Sequence, residues 1–339
     1  MATRQHGDMR ASGCLFGLAY GDALGAPTEF LTVDQIVARY GADGPRGLTG
    51  DPALVTDDTQ MTLAVAGALR DLSVEGPPTP MRTESALCSH FVRWWSSPDN
   101  NRAPGMTCLR ACERLASGMP WRQATGESSK GCGANMRVAP VGLVPGLDDA
   151  ERAGIAQLQA ALTHGHPTAL AASELTAFAV HWLRDGMAPG DLPAALRERC
   201  VEQRCTYRDD WLADLWARPG VTESAEFIAR GWDECLSALD ALDAALARPD
   251  RQTDPCRATG AGWIAEEALA TALHCFLLFW QEPVAVLARA ATTSGDSDSI
   301  ACLAGAFAGA THGFDVWPED WSRRIEYGEE LGEFGRTWD

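Results

Sequence analysis

Two clusters of side-chain oxygens, nearly the whole chain apart, place the strongest constraint on the fold. Residues 56–59 read Thr-Asp-Asp-Thr, and residues 294–300 read Ser-Gly-Asp-Ser-Asp-Ser-Ile. Each cluster runs into an apolar segment of small residues, over 61–69 and 301–310, whose spacing predicts a helix rather than a strand. The acids therefore lie at the N-termini of two helices. A fold that brings these helix starts together gathers four carboxylates.

Helix capping accounts for only part of each cluster. Asp, Ser and Thr accept hydrogen bonds from the first free backbone N–H groups of a helix, but one oxygen is enough for a cap. Four converging carboxylates repel one another unless a cation lies between them. Oxygen ligands without histidine or cysteine favour magnesium, manganese or calcium over zinc. We therefore predict a divalent-metal site between the two helix starts.

The composition allows a large core and argues against polyanionic partners. Of the 339 residues, 46% are hydrophobic, which is enough for one large domain or two, and the paired clusters favour a single domain over 1–339. The formal net charge of 28 − 46 = −18 argues against electrostatic binding to nucleic acid or to an anionic membrane surface. The longest apolar run, over 268–280, is too short to span a bilayer.

Cysteine usage bears on the compartment. The eleven cysteines are scattered without a Cys-x-x-Cys pair, and residues 1–8 are a polar lead-in rather than an apolar secretory signal. Such cysteines are expected to be reduced and mostly buried. The sequence therefore predicts a cytoplasmic protein.

Helical spacing continues along most of the chain, interrupted by loops rich in glycine, proline and acids. No run of alternating polar and apolar residues indicates a strand. We therefore predict a nearly all-α fold. The further predicted helices cover 32–40, 83–95, 106–116, 147–162, 167–184, 191–202, 209–217 and 223–247, another opens over 260–267, and a covering helix lies in the tail 314–339.

Glycine occupies every fourth position from Gly13 to Gly25 in the first predicted helix. This spacing puts the glycines on one helix face, where a second backbone can approach closely. Because each glycine costs a helix about 1 kcal/mol relative to alanine, four of them indicate a packing demand. Asp22 and Glu29 lie near the end of this helix, and each by itself is expected to be solvated.

Three shorter stretches carry groups suited to a ligand. Residues 128–137 offer glycine N–H groups and Lys130 to a diphosphate at a helix start, although an ordinary glycine-rich turn also explains them. His164 and His166 share a tight turn, which fits a cap or a substrate contact better than zinc. Trp263, beside two glycines, is either a core residue or a stacking face for a base or sugar.

Five patterns occur in order along the chain: Gly21-Asp-Ala-Leu-Gly-x-x-x-Glu29, Thr56-Asp-Asp-Thr59, Gly131-x-Gly-x-x-Met-Arg137, Thr163-His164 and Gly295-Asp-x-Asp298. In these patterns and their order the chain resembles the ADP-ribosylglycohydrolases, a family that includes the dinitrogenase reductase-activating glycohydrolases. The resemblance covers about 13–313, most of the chain. It implies an all-α, single-domain orthogonal helical bundle with a two-metal centre of Mg²⁺ or Mn²⁺.

The resemblance also implies the site residues. Ser299 replaces a usual threonine and keeps the hydroxyl ligand, and Glu29 matches the family's mobile glutamate near the metals. Arg137 is expected to give structural support. The implied metal ligands are Thr56, Asp57, Asp58, Asp296, Asp298 and Ser299, and the implied catalytic acids are Asp57, Asp58, Glu29 and Asp298. The implied substrate-binding residues are Lys130, Gly131, Cys132, Gly133, Ala134, Asn135, Met136, His164 and Trp263.

The activity implied by the resemblance is hydrolysis of the bond between the anomeric carbon of ADP-ribose and an acceptor. We expect arginine-linked ADP-ribose on a protein or small molecule, with free ADP-ribose as the product. Hydrolysis of serine-linked or O-acetyl-ADP-ribose is the enzymatic alternative. A non-catalytic ADP-ribose-binding or structural protein of the same fold is the other alternative, although the ligand set is complete.

Overall fold

The computed structural model describes residues 9–339, and the polar lead-in predicted over 1–8 lies outside the described residues. Within 9–339 the chain forms eighteen α-helices and no β-strand. The α-helices are α1 (Arg10–Gly25), α2 (Val33–Tyr40), α3 (Asp57–Glu75), α4 (Pro80–Trp95), α5 (Met106–Ala116), α6 (Trp121–Ala124), α7 (Ala139–Leu143), α8 (Asp149–Ala161), α9 (Pro167–Arg184), α10 (Leu192–Gln203), α11 (Asp209–Leu212), α12 (Ser224–Leu246), α13 (Cys256–Thr259), α14 (Ala265–Phe279), α15 (Pro283–Ala290), α16 (Ser297–His312), α17 (Trp321–Arg324) and α18 (Gly328–Trp338). Short 3₁₀ helices cover Cys132–Ala134, Pro189–Asp191 and Phe314–Val316. The prediction of an all-α fold is confirmed.

Helices α1 and α16 form the centre of the bundle and run antiparallel with their backbones in contact. A β-carbon added to Gly21 would lie 2.0 Å from the carbonyl oxygen of Ala301, and one added to Gly17 would lie 2.3 Å from that of Gly305. Only glycine permits this approach, so the packing demand predicted from the four-residue spacing is confirmed. The contact also fixes the start of α16 beside the end of α1, where a β-carbon on Gly25 would meet the backbone of Asp298.

The remaining helices enclose this pair in one hydrophobic core. Helix α9 is buried along most of its length and packs between α8 and α12. Helices α14 and α15 pack on α16, while α18, in the tail, packs on α1. Across 9–339, no helix has both the length and the apolar character that a membrane span requires.

Several predicted boundaries agree closely with the structure, since α5 and α9 begin and end where the sequence placed them. Three segments differ. The covering helix predicted over 314–339 is divided into a 3₁₀ turn, α17 and α18. The helix predicted over 209–217 stops at Leu212, because Ala213 adopts a left-handed conformation with φ of 48°. The stretch 128–137 does not enter an α-helix directly, because it forms one 3₁₀ turn before α7 begins at Ala139.

Candidate metal and ligand site

The two predicted oxygen clusters meet at one cavity of about 240 Å³. Asp57 and Asp58 reach it from the first turn of α3, and Asp296 and Asp298 reach it from the start of α16. Ser299 also lines the cavity. The close contact of α1 with α16 and the packing of α3 beside them bring residues that are 240 positions apart in sequence into one site.

Helix capping uses few of the side-chain oxygens in the two clusters. The Thr56 hydroxyl caps α3 by accepting a hydrogen bond from the N–H of Asp58 at 3.2 Å. Helix α16 begins after Asp296, whose side chain makes no cap hydrogen bond. Asp298 Oδ1 accepts a hydrogen bond from the first-turn N–H of Ser299 at 3.1 Å. Capping therefore explains one hydroxyl and one carboxylate oxygen, and it leaves most of the oxygens in the two clusters unexplained.

Asp22 positions the start of α3, which its place in the sequence alone does not indicate. It was expected to be solvated, but it is fully buried behind the site. Its carboxylate accepts hydrogen bonds from the N–H of Thr56 at 3.0 Å, the N–H of Thr59 at 3.1 Å and the Thr59 hydroxyl at 2.5 Å. Asp22 thus ties the end of α1 to the start of α3. The sequence signal for this burial is that Asp22 directly follows Gly21, one of the glycines that pack closely against a second helix.

Glu29 completes a three-acid group with the α16 aspartates. One carboxylate oxygen from each of Glu29, Asp296 and Asp298 lies within 4.8 Å of the others. Glu29 is half-buried at the cavity wall, so the expectation of solvation drawn from its position alone is wrong. Its proximity to the other acids is what the family resemblance implied.

Burial is the largest cause of a raised pKa in all six acids. It raises the pKa of Glu29 and of Asp57 to about 8 and that of Asp22 to about 7, and the negative charge of Asp298 contributes in each case. The pKa values of Asp58, Asp296 and Asp298 are also raised. Without a cation, this cluster favours bound protons over full ionisation.

The donor set fits a hard divalent cation. Oxygen Oδ2 of Asp58 is buried and has no hydrogen-bond partner, which is costly for a carboxylate. A cation between the two helix starts would supply that partner and offset the repulsion. Carboxylate and hydroxyl oxygens are ligands that Mg²⁺ and Mn²⁺ accept. One sulfur is close, because the Cys132 thiol donates to Asp296 Oδ2 at 2.8 Å.

The glycine-rich loop forms another wall of the cavity. Its predicted members Gly131, Cys132, Gly133 and Met136 line the cavity, as do His164 and Trp263. The N–H of Cys132 donates to the Trp263 carbonyl at 3.2 Å, and the N–H of Ala265 donates to the Lys130 carbonyl at 2.9 Å. These bonds join the loop to the start of α14 and to the residue Trp263 just before it.

Three predicted substrate-binding residues do not line the cavity, and neither does the predicted metal ligand Thr56. The Lys130 ammonium donates to Glu234 at 2.7 Å and also to Glu266. Ala134 is buried, and so is Asn135, whose amide donates to the Ala265 carbonyl at 3.2 Å. The side chains of Lys130 and Asn135 therefore hold the loop against neighbouring helices.

A buried chain of hydrogen bonds orients His164. Arg137, expected to give structural support, is fully buried and donates to the Thr163 hydroxyl at 2.8 Å. That hydroxyl lies 2.8 Å from His164 Nδ1. Burial, together with Arg137, lowers the pKa of His164 to about 3. The ring is therefore neutral in the folded protein, and its Nε2 lies on the side of Gly131 and Gly133.

His166, the second histidine of the turn, has a different task. Its Nδ1 accepts a hydrogen bond from the N–H of Thr168 at 3.2 Å and so caps α9. Of the two readings for this pair, the cap applies to His166, whereas His164 faces the cavity.

Comparison with known proteins assigns the family. A family model described as ADP-ribosylglycohydrolase matches residues 3–338. The chain belongs to the ADP-ribosylglycohydrolase family. The match extends beyond the resemblance seen over 13–313, and it confirms the prediction of a hydrolase that acts on ADP-ribose linkages.

Curated relatives carry names from the same family. The chain is 27% identical to the ADP-ribosyl-[dinitrogen reductase] glycohydrolase of Rhodospirillum rubrum, over 94% of this chain and 90% of the relative. It is 28% identical to the human ADP-ribosylhydrolase ARH3, over 95% and 90% of the two chains. It is 25% identical to the ADP-ribosylarginine hydrolase Tri1 of Serratia proteamaculans, over 95% and 76%.

A solved structure supports the glycohydrolase fold. The chain superposes on an ADP-ribosylglycohydrolase-related protein complex with a TM-score of 0.64, covering 96% of this chain and 95% of the other. At 24% sequence identity this similarity concerns the fold alone.

Proposed function

We propose that this glycohydrolase removes ADP-ribose from arginine side chains of ADP-ribosylated proteins, or from small molecules with the same linkage, and releases free ADP-ribose. The observation that carries the proposal is the group of carboxylates at the starts of α3 and α16, which line one cavity together with Glu29. The arginine linkage is supported by the relative named as an ADP-ribosylarginine hydrolase.

Two divalent cations, Mg²⁺ or Mn²⁺, complete the proposed site. When bound, they supply positive charge that polarises substrate hydroxyls and lowers the pKa of a water molecule. Unpartnered Asp58 Oδ2 is the strongest support for this part of the proposal. The residues proposed to hold the cations are Thr56, Asp57, Asp58, Asp296, Asp298 and Ser299.

The protein's own groups then bind and orient the reactants. The N–H groups of Gly131 and Gly133 face the diphosphate, and His164, with its proton on Nε2, donates to a ligand oxygen. Asp57 or Asp58 orients the attacking water and takes its proton. A bond forms between the water oxygen and the anomeric carbon as the bond to the arginine nitrogen breaks, through an oxocarbenium-like transition state, and the nitrogen leaves with a proton. Glu29 and Asp298 are the other two proposed catalytic acids.

The first test is release of free ADP-ribose, detected by mass spectrometry, from peptides carrying arginine-linked or serine-linked ADP-ribose and from O-acetyl-ADP-ribose. Each substrate is incubated with Mg²⁺, with Mn²⁺ and with chelator. We expect metal-dependent release from the arginine peptide. Release from the O-linked substrates alone would overturn the linkage. Binding of ADP-ribose without any release would favour the non-catalytic reading.

The assignment of Asp298 makes a separate prediction. Asp298→Ala should lower turnover by at least about a hundredfold, because it removes a proposed metal ligand while the fold survives. Exposed Asp210 supplies the control, and Asp210→Ala should keep full activity. Circular dichroism and thermal melting check folding in both variants. An active Asp298→Ala protein would exclude this residue from the metal site.

A further inference from the structure

Two aromatic rings form an exposed stack at the mouth of the cavity. Phe30 is 74% exposed and Trp263 is 43% exposed, although both are large apolar side chains. Their ring centroids lie 5.5 Å apart and their planes differ by 18°. Trp263 also lines the cavity, and Phe30 directly follows Glu29 of the three-acid group. The stack therefore borders the acidic end of the site.

The backbone of Phe30 is strained, and burial of its ring does not offset this strain. The N–H of Leu31 donates to the Thr28 carbonyl at 3.0 Å, which closes a turn with Glu29 and Phe30 at its centre. Phe30 has a φ of 63°, in the left-handed region that turns usually give to glycine or asparagine. A bulky residue there is an outlier, and its mostly exposed ring gains little from the core. Strain of this kind concentrates at ligand sites.

The charge beside the stack selects the kind of ligand. Glu29 directly precedes Phe30 in the sequence, and it is the acid of the three-acid group that is not among the proposed metal ligands. A planar cation gains from both features, because an aromatic face attracts positive charge and the Glu29 carboxylate adds to that attraction. A guanidinium group is planar, weakly hydrated and well suited to stacking. A serine side chain and an acetyl group carry no positive charge, so neither gains this attraction.

We propose that Phe30 and Trp263 form an acceptor site that binds the guanidinium of ADP-ribosylarginine and thereby selects the arginine linkage. This inference rests on the proposed function, which puts the anomeric carbon at the acidic cluster. Phe30 is one residue from Glu29 and faces solvent. The acceptor of a bound substrate, extending out of the cavity at this end, therefore lies against the ring. Phe30 is then a specificity residue rather than a catalytic one.

The test compares two substitutions of Phe30. Phe30→Leu keeps an apolar side chain but removes the ring, whereas Phe30→Tyr keeps a ring. We expect Phe30→Leu to lower kcat/KM for an arginine-linked ADP-ribosyl peptide by about five- to twentyfold, mainly through KM, as loss of a cation–π contact predicts. Phe30→Tyr should retain the wild-type value. The Kd of free ADP-ribose, measured by calorimetry, should stay the same in both variants, since ADP-ribose has no guanidinium.

Each other result overturns the inference in a distinct way. An equal loss of ADP-ribose affinity in Phe30→Leu means that the rings bind the adenine. An unchanged kcat/KM in Phe30→Leu means that the ring contributes nothing to the acceptor. A loss in Phe30→Tyr equal to that in Phe30→Leu, with a lowered melting temperature in both, means that Phe30 only supports the turn. If wild-type protein releases no ADP-ribose from any linkage, the proposed function itself fails.

Val74→Ala is the matched control. Val74 is 83% exposed and lies near the C-terminal end of α3, at the opposite end of that helix from the site. Removing this exposed apolar side chain should leave kcat/KM for the arginine-linked peptide at the wild-type value.

Discussion

At the scale of single residues, three aspartates near α3 differ in what their oxygens already bind. Both oxygens of Asp22 accept hydrogen bonds, so this side chain fixes the start of α3. Asp57 accepts one from the N–H of Gly105 at 3.3 Å. Asp58 keeps a buried oxygen without a partner. The residue type is the same in all three, and only depth and neighbours separate a positioning role from a ligand role.

The neutral state of His164 predicts a pH dependence of stability. Its pKa is about 3 in the folded protein and near 6.5 when unfolded, so the unfolded state binds the extra proton between these values. The His164 contribution to stability is thus present above pH 6.5 and falls by about 1.4 kcal/mol per pH unit below it. Urea unfolding of wild type and His164→Gln at pH 8, 6.5 and 5.5 measures this. All other titratable groups are present in both proteins, so a difference in the pH dependence of unfolding between wild type and His164→Gln reports on His164. An equal pH dependence would contradict the prediction.

Lys130 tests whether its ammonium supports the loop or contacts the ligand. Lys130→Met leaves Glu266, 7% exposed, without its cation, and we expect a loss of about 3 kcal/mol in the free energy of unfolding. The double variant with Glu266→Gln should regain most of this loss. Urea unfolding and the Kd of ADP-ribose are measured together. A large rise in Kd with unchanged stability would instead support the diphosphate contact predicted from the sequence.

At the scale of elements, the backbone contact of α1 with α16 sets the geometry of the site. Gly21→Ala would drive a β-carbon into the Ala301 carbonyl, at 2.0 Å. The helices must separate, so we expect a loss of about 3 kcal/mol in unfolding free energy together with lower activity. Gly190→Ala is the control, because a β-carbon there meets no atom within 4 Å, and its effect should stay within about 0.5 kcal/mol. Equal effects of the two substitutions would show that the contact tolerates a side chain.

Elements with strong local signals were predictable, and those fixed by distant contacts were not. Apolar spacing placed α5 and α9 correctly because each carries its own buried face. The 3₁₀ turn over 132–134 has no such pattern. Its shape depends on hydrogen bonds from the loop to Trp263 and Ala265, which are more than a hundred residues away.

At the scale of the whole molecule, the acidic cluster predicts that a divalent cation stabilises the fold. A cation that binds only the folded state at one hundred times its Kd adds about 2.7 kcal/mol of stability. Mg²⁺ or Mn²⁺ should therefore raise the melting temperature by a few degrees relative to chelator, and Asp298→Ala should lose most of this rise. Sodium chloride at matched ionic strength controls for screening. An equal rise in sodium chloride would argue against a specific site.

The sequence by itself determined the helical class, the positions of most helices, the glycine face of α1 and the two groups of acids. These are local properties, written in spacing and side-chain chemistry. Tertiary structure alone decided which acids meet, that Asp22 is buried, that Lys130 pairs with Glu234 and Glu266, and that Phe30 stacks on Trp263. The physical reason is that burial, pKa and pairing depend on groups distant in sequence, which only the packed chain brings within reach.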